Sequence, residues 1–316
     1  MKNKAAIVGI MICCWASLMG RASAEQTVKV GYLRLVMSLP TFVAVENGLF
    51  DRQGVKVELV PFQSGTAIID ALVAGRIHAD CGSATSGHWF AEQNVPGRFR
   101  IFLVYGPDSM DGHTFVAVVH KQSPIKDFKG LKGKKVGHFP GATSRALARA
   151  VIRTQLDPEA VTMVEVPPPN MVPALAAGQI DVFFTPEPLG MLAVSKGVGK
   201  YLRKNFVTVT LGLKKGYPGG AFSFSAKFLE KHSDVATRFK AAMESAVDSI
   251  GRNEKQARSY IQKYTGLPQS VAERIPFDKW IKIKDLNKEA GQVYFDILFK
   301  EGAYKKRLDT TKLYYQ

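Results

Sequence analysis

Apolar residues fall along this chain in short runs that alternate with segments of helical period. Val28 to Tyr32 reads as a strand, and Val55 to Val60 alternates apolar and polar residues as a half-buried strand does. Between them Ser38 stands where a helix cap is needed, with Pro40 tolerated in the first turn and Gly48 as a left-handed stop. Ser64, Gly65 and Thr66 open a second helix, whose Ile68, Ile69, Leu72 and Val73 share one face before Gly75 ends it. Ile77 to Gly82 is a third strand. The same order then returns. Lys135 to His138, Val161 to Val166 and Ile180 to Phe184 read as strands. A helix capped by Thr143 or Ser144 runs to about Thr154, and one capped by Asn170 carries Pro173 and stops at Gly178. Strands alternating with helices predict an α/β fold with mostly parallel sheets and right-handed crossovers.

The second pass repeats residues as well as elements. Ala71-Leu72-Val73-Ala74-Gly75-Arg76-Ile77 matches Ala174-Leu175-Ala176-Ala177-Gly178-Gln179-Ile180. Lys29-Val30-Gly31-Tyr32 matches Lys135-Val136-Gly137-His138, and Val57 to Pro61 matches Met163 to Pro167 in class and order. Copies in register imply two similar lobes, and two lobes enclose a cleft. Thr114 to His120 is placed to cross between the lobes. Phe206 to Leu213 is strand-like and, with the turn at Gly216 to Gly220 and the run Ala221 to Ser225, reads as the return crossing. The expected division is therefore 25–115 with 215–316 as one lobe and 116–214 as the other. The C-terminal part reads as mostly helical. Its Asp234 to Ile250 segment turns Val235, Phe239, Ala242, Met243, Ala246 and Ile250 to one face, and a basic tail after Ala303 is expected to fray.

Composition adds an address. Lys2 and Lys4 precede the apolar run Ala5 to Met19, which is short for a membrane span, and Ala22-Ser23-Ala24 has the small-x-small form of a cleavage site. Residues 1–24 are expected to be a signal peptide cut after Ala24, leading to the periplasm. Cys13 and Cys14 lie in that run without the small residues of a lipid-attachment site, and only Cys81 remains, so no disulfide forms within the mature chain. The formal net charge of +16 favours anionic ligands or an anionic membrane surface, or serves solubility alone. An exported chain without a recognition motif is not expected to bind nucleic acid.

Ligands of open parallel sheets sit beyond the carboxyl ends of the strands, where helix N-termini gather. That rule nominates Leu33–Ser38, Gln63–Thr66 and Ser83–Ser86 in one lobe, and Gly141–Ser144, Pro167–Asn170 and Thr185–Glu187 in the other. The candidate contacts are Ser38, Ser64, Gly65, Thr66, Ser83 and Thr85 from the first set and Thr143, Ser144 and Asn170 from the second. Each hydroxyl either meets the ligand or only caps a helix. Glu187, between Pro186 and Pro188, either accepts a ligand N–H or is a surface acid; Trp89 either walls the cleft or packs the core. His-Glu-x-x-His, Gly-x-Ser-x-Gly and the phosphate-loop pattern are all missing, and the six histidines show no metal-ligand spacing. Neither catalysis, nor a metal, nor a cofactor is expected.

Ile125-Lys126-Asp127-Phe128 leading into Leu131-Lys132-Gly133-Lys134-Lys135-Val136-Gly137 resembles the opening of the second lobe of periplasmic solute-binding proteins. Glu46-Asn47-Gly48-Leu49-Phe50 with Gly54-Val55, Gly141-Ala142-Thr143-Ser144 and Gly178-Gln179-Ile180-Asp181 are similar to the group that binds nitrate, sulfonates, taurine and the thiamine pyrimidine precursor. In relatives a tryptophan often sits near the position of Glu187; Thr185 occupies that region here. The resemblance implies a type 2 binding protein with two hinge crossings. It would act as a monomer, closing on a small solute and delivering it to an ABC permease and its ATPase. The expected ligand is a small anion such as a sulfonate, taurine or nitrate. The alternatives are a neutral heterocycle such as a pyrimidine vitamin precursor, held by Glu187 and stacked on Trp89, or an exported enzyme or sensor partner on the same fold.

Overall fold

A computed structural model describes residues 27–107, 115–277 and 279–315. The expected leader 1–24 and its cut after Ala24 lie outside these residues, as do residues 108–114 of the first crossing. The strands are β1 (Val28–Leu33), β2 (Val57–Phe62), β3 (Ala79–Ala84), β4 (Phe99–Gly106), β5 (Phe115–His120), β6 (Lys135–His138), β7 (Thr162–Glu165), β8 (Val182–Pro186), β9 (Gly199–Lys204), β10 (Gly220–Ser225) and β11 (Lys279–Lys282). The helices of the repeated units are α1 (Leu39–Glu46), α2 (Leu49–Arg52), α3 (Gly65–Val73), α4 (Thr85–Asn94), α5 (Ala142–Arg153), α6 (Met171–Ala176), α7 (Leu189–Ser195) and α8 (Phe206–Thr210). Those that follow are α9 (Ala226–Lys231), α10 (Ser233–Arg252), α11 (Glu254–Thr265), α12 (Gln269–Ala272) and α13 (Lys288–Lys300).

One sheet runs β2-β1-β3-β10-β4-β11 and the other β7-β6-β8-β5-β9. The first five positions match: a parallel trio, then an antiparallel strand, then another antiparallel to that. The parallel trios are the repeated units of the sequence. β5 and β10 run against them because each receives the chain from the other lobe at the cleft end. The crossing segments are therefore shorter than the sequence suggests, and both apolar runs read as crossings, Phe115–His120 and Ala221–Ser225, are interior strands.

The repeated residues meet one another in space. A Cβ on Gly31 would lie 2.6 Å from Cδ1 of Ile77, and one on Gly137 would lie 2.7 Å from Cδ1 of Ile180. In each lobe the glycine of the first strand leaves room for the isoleucine that follows the second helix. That helix ends the same way twice. Gly75 (φ 74°) and Gly178 (φ 67°) take the left-handed turn. Arg76 N–H donates to Ala71 C=O at 2.8 Å, and Gln179 N–H to Ala174 C=O at 2.9 Å, closing a Schellman motif. Even the next residue serves twice: Lys29 N–H donates to His78 Nδ1 at 2.9 Å, and Lys135 N–H to Asp181 Oδ2 at 2.8 Å. The third match is offset. Gly31 pairs with Val60 and Gly137 with Val164, so Pro61 and Pro167 stand two residues out of equivalence. A shift of two keeps every side chain on its own face.

Several local expectations change. Phe206 to Leu213 is helical at α8, although its Val-Thr-Val-Thr pattern alternates like a strand. Asn205 (φ 52°) turns the chain left-handed, and Phe206 buries its ring 4.7 Å from that of Phe184. Ser38 ends the 3-10 turn Val36–Ser38 and stands just before α1 but makes no capping bond, because its hydroxyl donates to Cys81 C=O at 2.8 Å. Thr143 and Ser144 lie inside α5, which Gly141 (φ 112°) starts earlier. Asn170 precedes α6 without a capping bond. The tail after Ala303 is anchored: Tyr304, Leu313 and Tyr314 are buried, and Tyr315 N–H donates to Ile101 C=O at 2.7 Å. β4, β9 and β11 are strands that the sequence reading does not name.

In the first lobe, α1, α10 and α11 cover one face of the sheet around Phe42, Phe102, Phe224 and Phe239. The apolar face expected on Asp234–Ile250 is buried at every named position. α4 and α13 cover the other face around Trp89 and Phe295, and α5 of the second lobe continues that cluster. Gly31→Ala is expected to destabilise the protein by about 1–3 kcal/mol through overpacking. Adding Ile77→Val should recover part of the loss, and urea unfolding of the single and double variants measures the coupling.

Candidate functional site

Register places the site end of the first sheet. Gly220 pairs with both Ala84 and Tyr105, and Lys279 pairs with Gly106, so the ends of β3 and β4 and the starts of β10 and β11 lie together. The chain returning from the second lobe packs directly on them. A Cβ on Gly106 would lie 2.7 Å from the backbone nitrogen of Gly219, Tyr217 N–H donates to Pro107 C=O at 3.0 Å, and Thr85 N–H donates to Gly219 C=O at 3.1 Å.

Most first-lobe candidates are committed to this scaffold. Ser83 is buried and donates to Gly65 C=O at 3.3 Å, which ties the loop after β3 to the start of α3. Ser64 caps α3 by accepting from Ala67 N–H at 3.2 Å. Ser38 holds Cys81 C=O, and burial pushes the Cys81 thiol well up, so it stays protonated. Thr85 is fully buried, whereas Thr66 is exposed at the start of α3. Trp89 is sealed in the core against Tyr294, Phe295 and Tyr304, the second of the two roles open to it.

A polar cluster that no sequence motif announces fixes the loop after β3. Asp80 Oδ1 accepts from Gly82 N–H at 3.1 Å and Ser83 N–H at 3.2 Å. His88 Nε2 lies 3.1 Å from Asp80 Oδ2 and 2.9 Å from Ser223 Oγ, while Nδ1 faces Ala84 C=O at 3.1 Å. All three side chains are fully buried. The signal was an acid in an otherwise apolar strand, since a carboxylate enters a core only with partners.

In the second lobe the candidates are freer. The first-turn N–H groups of α5 have no acceptor within the helix and no acid stands in that turn, although Glu165 of β7 accepts from the N-cap Gly141 N–H at 3.4 Å. Thr143 and Ser144 are half-buried there, and their hydroxyls have no hydrogen-bond partner among the described residues. Ser144 borders a cavity of about 30 Å³ together with Phe139, Leu147, Phe184, Phe206 and His138. His138 was not a candidate in the sequence; it is buried at the carboxyl end of β6, and burial holds its imidazole below the usual histidine range. Asn170 is exposed. Thr185 is buried and donates to Pro186 C=O at 3.0 Å.

Glu187 is already satisfied. Its Oε1 accepts from the Tyr201 hydroxyl at 2.7 Å and Oε2 from Met191 N–H at 2.9 Å, which fastens the first turn of α7 to β9. Burial raises its carboxyl above the usual range against the pull of these donors. Among the described residues no group of His, Cys, Asp or Glu is placed to hold a metal, and no helix is long and apolar enough to cross a membrane.

The model of the NMT1-like family matches residues 21–264. The chain belongs to the NMT1-like family. A Bacillus subtilis (strain 168) protein named for binding aliphatic sulfonates is 26% identical, the alignment covering 96% of this chain and 90% of that one. The nitrate import ATP-binding protein NrtC of Synechocystis sp. is 24% identical over 81% of this chain and 40% of its own. The alkanesulfonate-binding protein SsuA of Xanthomonas axonopodis pv. citri, solved bound to MOPS, superposes with a TM-score of 0.75 at 20% identity, covering 93% of this chain and 99% of that one. The fold is that of the periplasmic binding proteins.

Tyr201→Phe leaves the Glu187 carboxylate short of one donor in a desolvated place. A loss of about 1–3 kcal/mol is expected at neutral pH, the scale for a hydrogen bond to a charged group. The loss should shrink as pH falls and Glu187 takes up a proton, because a neutral carboxyl costs less to leave unpaired. Chemical denaturation of both proteins from neutral to acid pH follows the difference.

Proposed function

We propose that this chain is the periplasmic solute-binding component of an ABC import system, a monomer that captures a small anion of the sulfonate, taurine or nitrate type between its lobes. The single observation that carries the reading is the start of α5, where the first-turn N–H groups and the free hydroxyls of Thr143 and Ser144 meet, with the Glu165 carboxylate engaged by Gly141 N–H at 3.4 Å just before the turn. Such a terminus favours an anion, and charge-assisted hydrogen bonds are the strong ones. Relatives named for sulfonate binding and nitrate import lend support. From the first lobe, Thr66 is the exposed candidate whose hydroxyl is not spent on the scaffold; that of Thr85 has no partner among the described residues either, but it is fully buried. The solute favours closure only by the difference between its contacts in the closed and open forms, and a permease would then read the closed shape.

A neutral heterocycle is the weaker reading. Its two anchors were Glu187 and Trp89; the carboxylate already accepts two donors, and the indole is enclosed by aromatic rings. A binding role accords better than catalysis with these loops, since their polar groups are donors and caps rather than an activated nucleophile and base.

A thermal-shift screen of the mature protein against ethanesulfonate, taurine, nitrate and pyrimidines tests the ligand class. Stabilisation by the anions is expected, reaching about 4 kcal/mol at a thousandfold excess over Kd. Stabilisation by pyrimidines with none by anions would reverse the reading. Thr143→Ala with Ser144→Ala should weaken the anion by about tenfold or more, equal to about 1.4 kcal/mol, with the ligand-free melting temperature unchanged. Calorimetry and unliganded melts separate that outcome from a loss of folding.

A further inference from the structure

One buried polar atom at the second-lobe site lacks a partner. His138 is 1% exposed, and its Nδ1 lies 2.7 Å from Phe139 C=O. A carbonyl only accepts, so Nδ1 carries the proton of the neutral ring and Nε2 presents a lone pair. Nε2 has no hydrogen-bond partner among the described residues. His138 lines the cavity of about 30 Å³ beside the first turns of α5, whose walls are otherwise apolar or backbone except for Ser144. That volume holds a water or the edge of a ligand group. An unpartnered lone pair beside the place where an anion is attracted is a mismatch, since oxygen anions also only accept.

We propose that His138 couples ligand capture to a proton: an anion bound at the start of α5 enters together with one proton, which Nε2 takes from solvent and donates to a ligand oxygen. The proposal rests on the anionic reading above. The alternative tautomer does not remove the mismatch, because it would set Nδ1 against the Phe139 carbonyl. Protonation removes it at both nitrogens, leaving each as a donor with an acceptor before it. The charged groups that bear on the ring are Glu165 of β7, which favours the proton, and Arg145 of α5, which opposes it. Burial outweighs the first and keeps the ring neutral without ligand, so the arriving negative charge is what brings the proton in.

Calorimetry with ethanesulfonate and with nitrate, neither of which titrates near neutrality, tests this on the whole mature protein. At pH 7.5 the binding heat is measured in phosphate and in Tris, whose ionisation enthalpies differ. The expected result is uptake of about one proton per ligand, with Kd tightening by up to about tenfold per pH unit as pH falls from 8.5 toward 7. His138→Gln, a donor that does not titrate, should bind with no buffer dependence and a flat pH profile. Anion binding by the wild type with heats independent of buffer would overturn the proposal and leave the anionic reading standing. Proton uptake that persists in His138→Gln would move the proton to another group and overturn it equally. If no anion binds at any pH, the parent reading falls and takes this proposal with it. Should the glutamine variant fail to fold, the wild-type buffer series decides.

Discussion

An isoleucine seated over a glycine, twice, governs where every loop of the site can go. Gly31 under Ile77 and Gly137 under Ile180 bring the end of the second helix of each unit onto its first strand. The left-handed glycine before each isoleucine is what delivers it there, and the Schellman bonds leave no slack in the approach. With helix and strand so fixed, the parallel trio must point its carboxyl ends the same way. The first turns of α3, α4, α5 and α6 then stand beside those ends. A binding surface in each lobe is thus a consequence of packing on the opposite side of the unit.

What joins the lobes is tighter than a pair of strands passing through open space. The two crossings touch, through Tyr217 on Pro107 and the close approach of Gly106 to Gly219, and the loop after β3 is tied to the same point through Thr85. The crossings and the loop after β3 therefore share a backbone contact. Farther out, Arg153 of α5 makes a two-pronged contact with Glu301 just past α13, at 2.6 and 3.0 Å. That pair faces water on the arginine side and adds orientation rather than much stability. The apolar cluster beneath, running from Trp89 and Phe295 to Leu147 and Phe206, stabilises the junction more, because removing apolar surface from water is the dominant favourable contribution to packing.

Electrostatics divides the labour between the lobes unequally. In the first lobe Ser38 and Ser83 hold backbone carbonyls, Ser64 caps α3, and Asp80 with His88 spends a buried polar cluster on shaping the loop after β3. The second lobe keeps donors free at α5 and leaves His138 with one open lone pair. An anion would thus be recognised chiefly by the second lobe, with the first supplying shape and closure. Glu187, the one acid in these loops, is turned inward to Tyr201 and α7, which spares an incoming anion its full repulsion.

The sequence by itself determined the two-unit architecture, the parallel trios and the α10 face, because these follow from local periodicity, left-handed glycines and a repeat of short motifs. It placed Ser64 at the opening of the second helix and offered it as a ligand contact; the structure uses it as the cap, an N-cap bond that closes within three residues. It misplaced Phe206–Thr210, since alternating β-branched residues look alike in a short helix turn and a strand until an aromatic anchor from elsewhere decides. Only the tertiary structure decided which hydroxyls were spent, that Trp89 and the C-terminal tyrosines were inside, and that His138 was left with an unmet acceptor. Those outcomes depend on what stands opposite each atom across tens to hundreds of residues of chain, and a pattern read along one strand of sequence carries no such information.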